Sequence, residues 1–406
     1  MDYGNGTPLE VFTAVCDDFY ATARAARASG RKVAGFVCSY APQELLHAAG
    51  YLPVRVLGRP GGTPQADQLL QAYACSLARS SFDAALSGEF DFMDLVVFSH
   101  TCDTMQNLAD LWRSSRPNQP VIIVCAPTVT SGTAARTYYR KVLDDVRKQI
   151  EALSGPISDE SIRASIDLYA RHRSLVQRLY DLRREHSDRI SGRELLAVVT
   201  SSMMMPREDH VALLEPFVAG LEAECGTAAP GCQAATGEGA CPTYSGTTVG
   251  GGCPASGKPR VFVAGSVCQN MGFITALEEA GCRVVDDDLC MGGRSFSLPE
   301  APAGDPMDAL VEMYLGRRPC PAFHTPGFDP GAFLVERAQA ARAAGVVFLL
   351  TKFCDPWFFD YPHVNKSLEA AGIPGLLVEV EQNLPVPEQF RTRAEAFVEL
   401  LKAKAE

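Results

Sequence analysis

Short apolar runs punctuate this chain, and most of them adjoin a stretch with helical spacing. The runs at residues 94–99 (DLVVFS), 120–126 (PVIIVCA), 260–265 (RVFVAG), 346–353 (VVFLLTKF) and 375–381 (GLLVEVE) place apolar side chains mostly at successive positions. A strand buried on one face alternates apolar and polar residues, whereas a strand buried on both faces does not. Strands of the second kind need a layer of helices on each side. The helical stretches between them supply the long crossovers that parallel neighbours require.

The remaining pattern is consistent with this. Residues 8–30 have helical spacing and end at Ser29-Gly30, where glycine suits a helix terminus. Residues 32–39 (KVAGFVCS) read as the first strand, and Pro42 precedes a helix over 43–49 closed by Gly50. Residues 133–190 read as helical, over 138–153 and 159–185, with Arg and Leu at spacings that pack against a sheet. Residues 225–257 are rich in Gly, Ala, Ser and Thr and read as a flexible linker or insertion. Beyond them the spacing predicts a helix over 273–280, a strand over 283–287 (RVVDD), a helix over 365–371 and a last helix over 390–402. The expected organisation is an N-terminal helical segment (1–31), a first α/β domain (32–155), a helical connection (156–224), the linker (225–257) and a second α/β domain (258–406). The fold class is α/β: two doubly wound, Rossmann- or flavodoxin-like parallel-sheet domains with additional helices.

Composition narrows the function classes. A net charge of −11 argues against a nucleic-acid partner. No apolar run is long enough for a membrane span, and the first residues lack the pattern of a secretory signal, so the expected location is cytoplasmic. Fourteen cysteines in that compartment are not a disulfide framework. Many should be small buried hydrophobes, with a surplus for soft-metal or iron–sulfur ligation.

Three cysteines stand out by position. Cys102 directly follows the 94–99 run within His100-Thr101-Cys102-Asp103, and Cys354 follows the 346–353 run within Lys352-Phe353-Cys354-Asp355-Pro356. Cys75 opens a helix-like segment. Chemistry in open α/β sheets gathers at the carboxyl ends of strands, so these thiols point to an assembled metal or cluster site. The plainer alternative is that Cys102 and Cys354 are two buried cysteines at strand ends. Lys352 and strand-end amides would lower the thiolate pKa values. Cys16, Cys125, Cys268 and Cys282 read as packing residues inside helices or strands, and Met203-Met204-Met205 as core. Cys225, Cys232, Cys241 and Cys253 match no zinc or ferredoxin spacing. The stretch Gly252 to Lys258 has P-loop spacing, but Pro259 replaces the magnesium-binding hydroxyl residue and a strand follows where a helix should.

Taken together, the stretches Pro42-Gln43-Glu44-Leu45, Ala74-Cys75 with Arg79-Ser80, His100 to Asp103, Gly265-Ser266, Asp287-Asp288-Leu289-Cys290, Pro319-Cys320-Pro321 with His324, Lys352 to Pro356 and Arg391-Thr392-Arg393 resemble the 2-hydroxyacyl-CoA dehydratase and benzoyl-CoA reductase family. The resemblance covers nearly the whole chain outside 225–257. It implies that Cys75, Cys102 and Cys354 hold a [4Fe–4S] cluster between two α/β domains. It also implies a separate ATP-hydrolysing iron–sulfur activator that injects low-potential electrons; ATP is then used by that partner and not bound by this chain. Three protein ligands on a cubane leave one iron open to substrate.

Cys38, Cys290 and Cys320 each lie just past an element that should point at the same crevice. A branch of the family, the double-cubane cluster proteins, is similar to this chain in having all six cysteines. That likeness implies an [8Fe–9S] cluster with three cysteines per cubane. The alternative keeps these three as ordinary thiols around a single cubane. His100 and His324 are weaker candidates for proton donors near the cluster, and Glu44 for orienting the first loop. Three functional readings follow: a homodimeric double-cubane reductase of small molecules; the [4Fe–4S] subunit of a 2-hydroxyacyl-CoA dehydratase or benzoyl-CoA reductase paired with a paralogous subunit; and a metal-free acyl-CoA-binding or scaffold protein.

Overall fold

The computed structural model describes residues 6–227 and 257–404. They build two sheets, each of four strands and each parallel throughout. The first contains β1 (Lys32–Phe36), β2 (Tyr51–Arg55), β3 (Leu95–Ser99) and β4 (Val121–Val124) in the order β2-β1-β3-β4. The second contains β5 (Arg260–Gly265), β6 (Arg283–Asp288), β7 (Gly345–Thr351) and β8 (Gly375–Val380) in the order β6-β5-β7-β8. The two orders are the same. In each, the winding reverses between the first and third strands of the unit, and a crevice opens there beyond the strand ends.

Central strands β3 and β7 are buried at every position, as their unbroken apolar runs require. On one face of the first sheet, Trp112 of the helix Asp103–Ser115 is fully buried among Phe82, Phe90 and Phe98. Its Nε1 donates to Gln119 Oε1 at 2.8 Å, so the indole is satisfied as well as packed. The opposite face meets the helices Thr133–Ser154 and Asp159–Glu185. The same apolar cluster continues through Met203, Met204 and Met205 to Met291, Phe296 and the helix Pro306–Leu315 of the second unit. The two α/β units thus share one core, which fixes the crevices relative to each other.

Several details depart from the sequence reading. The N-terminal helix is two helices, Pro8–Asp17 and Ala21–Ala28. Strand β2 had no strand signal because Pro53 interrupts it; it is tolerated because β2 lies at the sheet edge. The helix read over 365–371 spans Asp355–Ala370, with Pro356 in its first turn, where proline is well accommodated, and Pro362 inside it. Cys125, Cys268 and Cys282 sit next to strand ends and not inside elements, although Cys268 and Cys282 are buried as packing residues should be. Cys232, Cys241 and Cys253, and most of the 225–257 segment, lie outside the described residues.

His210 gives the fold a measurable acid sensitivity. It is fully buried, and its Nε2 donates to the Val198 carbonyl at 2.9 Å. Burial, with Arg207 nearby, pushes its pKa down to about 3. The unfolded chain takes up this proton near the ordinary histidine value of about 6.5 and the folded chain does not. Stability contributed by the neutral ring is therefore present above that value and lost below it. Unfolding free energy of the metal-free protein should fall by about 1 kcal/mol between pH ~6.5 and ~5.5 from this residue. Denaturant titrations of the wild type and His210→Phe should show that slope in the first and a shallower one in the second.

Candidate metal centre

Each sheet delivers cysteines past its carboxyl edge. Cys38 lies just beyond β1, Cys102 beyond β3, Cys290 beyond β6 and Cys354 beyond β7, while Cys75 and Cys320 come from the long connections after β2 and β6. All six are half-buried free thiols that line one cavity of about 420 Å³ between the two units. Val37, Leu77, Met105, Val267, Trp357 and the proline pair Pro321 and Pro356 supply apolar wall.

Cys75, Cys102 and Cys354 share a local geometry. Each is the N-cap residue of a helix: Ser76–Leu86, Asp103–Ser115 and Asp355–Ala370 respectively. The first N–H groups of a helix have no intrahelical partner, and the aligned peptide dipoles favour negative charge there. The helix-start amides act to lower the pKa of these thiols, but none of the three side chains makes a cap hydrogen bond. Phe353 reaches the left-handed region at φ 64° to aim Cys354 inward, an unfavourable conformation for a bulky residue.

Neighbouring thiols interact across the cavity. The charge of Cys75 acts on Cys102 and on Cys354, and Cys102 acts on Cys354. Cys290 acts on Cys38 and on Cys320, and Cys38 acts on Cys320. The two groups are not isolated: Cys38 also acts on Cys102, and Cys320 acts on Cys354 more strongly than Cys102 does. Among the described residues no three His, Cys, Asp or Glu side chains are arranged for a single ion. Such an ion needs sulfurs within about 2.3 Å of one point. Here they ring a volume.

The electrostatics differ from the expected pattern. Lys352 does not acidify the site; its side chain is half-exposed and reaches toward Glu381. Burial raises the pKa of Cys75, Cys102, Cys320 and Cys354, to about 12 for Cys102 and Cys320. Cys290 is the exception. Burial opposes its ionisation, but the Arg55, Arg294 and Arg317 guanidiniums together outweigh that and hold its pKa below the usual thiol range. Arg55, Arg294 and Arg317 are 1%, 3% and 4% exposed. No sequence pattern had marked them. The available signal was Arg55 itself, a charge set between valines in the run Leu52 to Leu57.

The donor set suits iron and sulfide better than a hard cation. Six soft sulfurs line the cavity, no imidazole does, and its carboxylates Asp103 and Asp355 are exposed. The histidines are peripheral. His100 is exposed and does not line the cavity. His324 lies in a smaller adjoining cavity of about 110 Å³, which shares Cys320 and Arg294 and also holds Asp288, Arg318 and Asp360. Glu44 is buried and bonded to Arg173 at 3.1 Å and Tyr314 at 2.8 Å, a structural bridge away from the thiols.

A profile of the family described as 2-hydroxyglutaryl-CoA dehydratase, D-component, matches residues 38–401, a span that begins at the first cavity cysteine and contains all six. The chain belongs to this family. Among curated proteins, the D-component relatives include the (R)-phenyllactyl-CoA dehydratase beta subunit of Clostridium sporogenes, 28% identical over 92% of both chains. A subunit of the benzoyl-CoA reductase of Thauera aromatica is 28% identical over 92% of this chain and 91% of its own. The (R)-2-hydroxyglutaryl-CoA dehydratase beta subunit of Acidaminococcus fermentans is 24% identical over 92% of this chain and 94% of its own. No helix among the described residues is long and apolar enough to cross a membrane.

Proposed function

We propose that this D-component family chain is the cluster-bearing part of an iron–sulfur reductase. In this reading it receives low-potential electrons from an ATP-hydrolysing activator and passes them to a small substrate. Cys75, Cys102 and Cys354 would hold one cubane and Cys38, Cys290 and Cys320 the other, in an [8Fe–9S] double-cubane cluster. The observation that carries this reading is the lining of one cavity by six thiols from both α/β units. When bound, such a cluster supplies one-electron reduction at potentials that ordinary donors do not reach. The chain's own contribution is geometric and electrostatic. Helix N-termini would set their partial positive charge beside the first three sulfurs, buried arginines would offset the charge of the other three, and the apolar wall would limit water.

Anaerobic iron and sulfide analysis tests the reading. The expected content is about eight irons per chain, and Cys290→Ser should lose roughly half of them. Unchanged iron in that variant would remove Cys290 from the ligand set.

A second reading is favoured by the names of the relatives, which are subunits of dehydratases and of a reductase. Here the chain is the [4Fe–4S] subunit of a (R)-2-hydroxyacyl-CoA dehydratase or benzoyl-CoA reductase, paired with a paralogous chain. About four irons per chain, insensitive to Cys290→Ser, would select it.

A further inference from the structure

We propose that Arg55, Arg294 and Arg317 form a cationic belt around the Cys38, Cys290 and Cys320 side of the cavity. The belt makes that half of the double cluster the one on which an added electron settles. The inference rests on the two-cubane reading above.

The belt is buried and under-compensated. Arg55 spends one N–H on Ser39 Oγ at 2.9 Å and stacks on Phe36, and its Nε is buried without a partner. Arg317 donates to the Ser39 and Arg294 carbonyls and lies over the Tyr40 ring, and its Nε is likewise unpaired. Neither makes an ion pair with a carboxylate among the described residues. Arg294 does pair with Asp288, at 2.5 Å, but Asp288 is shared with Arg318 at 2.7 Å. That leaves Arg294 Nε and Nη1 buried without a partner on a side chain that lines the cysteine cavity. A fold does not hold guanidinium charge in its interior without an anion, because the desolvation penalty is uncompensated. Cysteine thiolates carrying inorganic sulfide are the anion that this cavity is built to receive.

The other half is built differently. Arg79, the arginine acting on Cys75, has a buried unpaired Nε too, but its charge is already engaged by Asp67 at 3.4 Å and Glu381 at 3.8 Å. Beyond Arg79, the thiols of Cys75, Cys102 and Cys354 have the partial positive charge of three helix N-termini. Full positive charges attract an added electron more strongly than partial ones at the same range, and low polarity magnifies the difference. An electron from the activator would lower the charge of the bound group by one, with no bond made or broken. The arginines would hold it on their side, where the small cavity of Cys320, His324 and Asp360 adjoins the thiols.

The test is an anaerobic redox titration followed by electron paramagnetic resonance on the full chain, comparing wild type with Arg55→Gln, Arg317→Gln, Arg55→Lys and Arg79→Gln. At a fixed potential near the wild-type midpoint, Arg55→Gln and Arg317→Gln should each lower the reduced-to-oxidised ratio about tenfold, or about 59 mV for a one-electron couple. Arg55→Lys, which keeps the charge, should recover most of the shift, and Arg79→Gln should move it far less. Iron content, measured on the same samples, separates the possible failures. A wild type with about four irons per chain overturns the two-cubane reading and this inference with it. About eight irons with no shift in the two glutamine variants, or an equal shift in Arg79→Gln, overturns the belt alone.

Discussion

Cys354→Ser should abolish turnover and remove roughly half of the iron, while the metal-free protein unfolds at an unchanged or slightly higher denaturant concentration. The two outcomes separate because Cys354 has two tasks. As a thiol it would ligate iron; as the N-cap of the helix Asp355–Ala370 it begins that helix. Serine is among the favoured N-cap residues and cysteine is not, so the replacement keeps or improves the second task, by up to about 1 kcal/mol. Its hydroxyl is a far poorer ligand for iron. Cys102→Ser should behave in the same way, since Cys102 caps the helix Asp103–Ser115. Cys268→Ala is the control: that thiol is fully buried outside the cavity and should leave the iron content intact. Full iron in Cys354→Ser would remove Cys354 from the ligand set.

Asp288→Asn should strongly destabilise the metal-free protein. The Asp288 side chain is buried and bridges Arg294 at 2.5 Å and Arg318 at 2.7 Å. Asparagine keeps the size and removes the charge, which leaves buried Arg294 and half-buried Arg318 without their anion. Breaking a buried ion pair from one side costs about 3–5 kcal/mol. The loss should appear as a lower denaturant midpoint in the metal-free protein. It should be smaller in the loaded protein, where the belt has the cluster as counter-charge. An equal loss in both forms would show that Arg294 gains nothing from the cluster.

How much of this was legible beforehand depends on the range of the interaction. Central strands announce themselves, because a strand buried on both faces must be apolar at each position; the runs that became β3, β5 and β7 needed no tertiary information. Edge strand β2 did not, since a proline there costs little and the run reads as broken. The helix Asp159–Glu185 was legible to the residue because its spacing and its capping Ser158 are both local. The split between the helices Pro8–Asp17 and Ala21–Ala28 depends on how Tyr20 reaches the Arg55 and Leu57 carbonyls, a contact between distant segments.

The site divides along the same line. Local sequence marked Cys102 and Cys354, because a thiol at a strand-to-helix junction is written in consecutive residues, and those residues also carry the family resemblance. The sequence by itself determined that parallel α/β units would present cysteines at their carboxyl edges. Tertiary structure decided that both units would face a single cavity and that Arg55, Arg294 and Arg317 would act together on Cys290 in its wall. Hydrophobic pattern is short-ranged along the chain and can be read from it. Charge placement in a buried cavity is a sum over side chains from β2 and the segments after β6, and it has a value only once the core shared by the two units has fixed their positions.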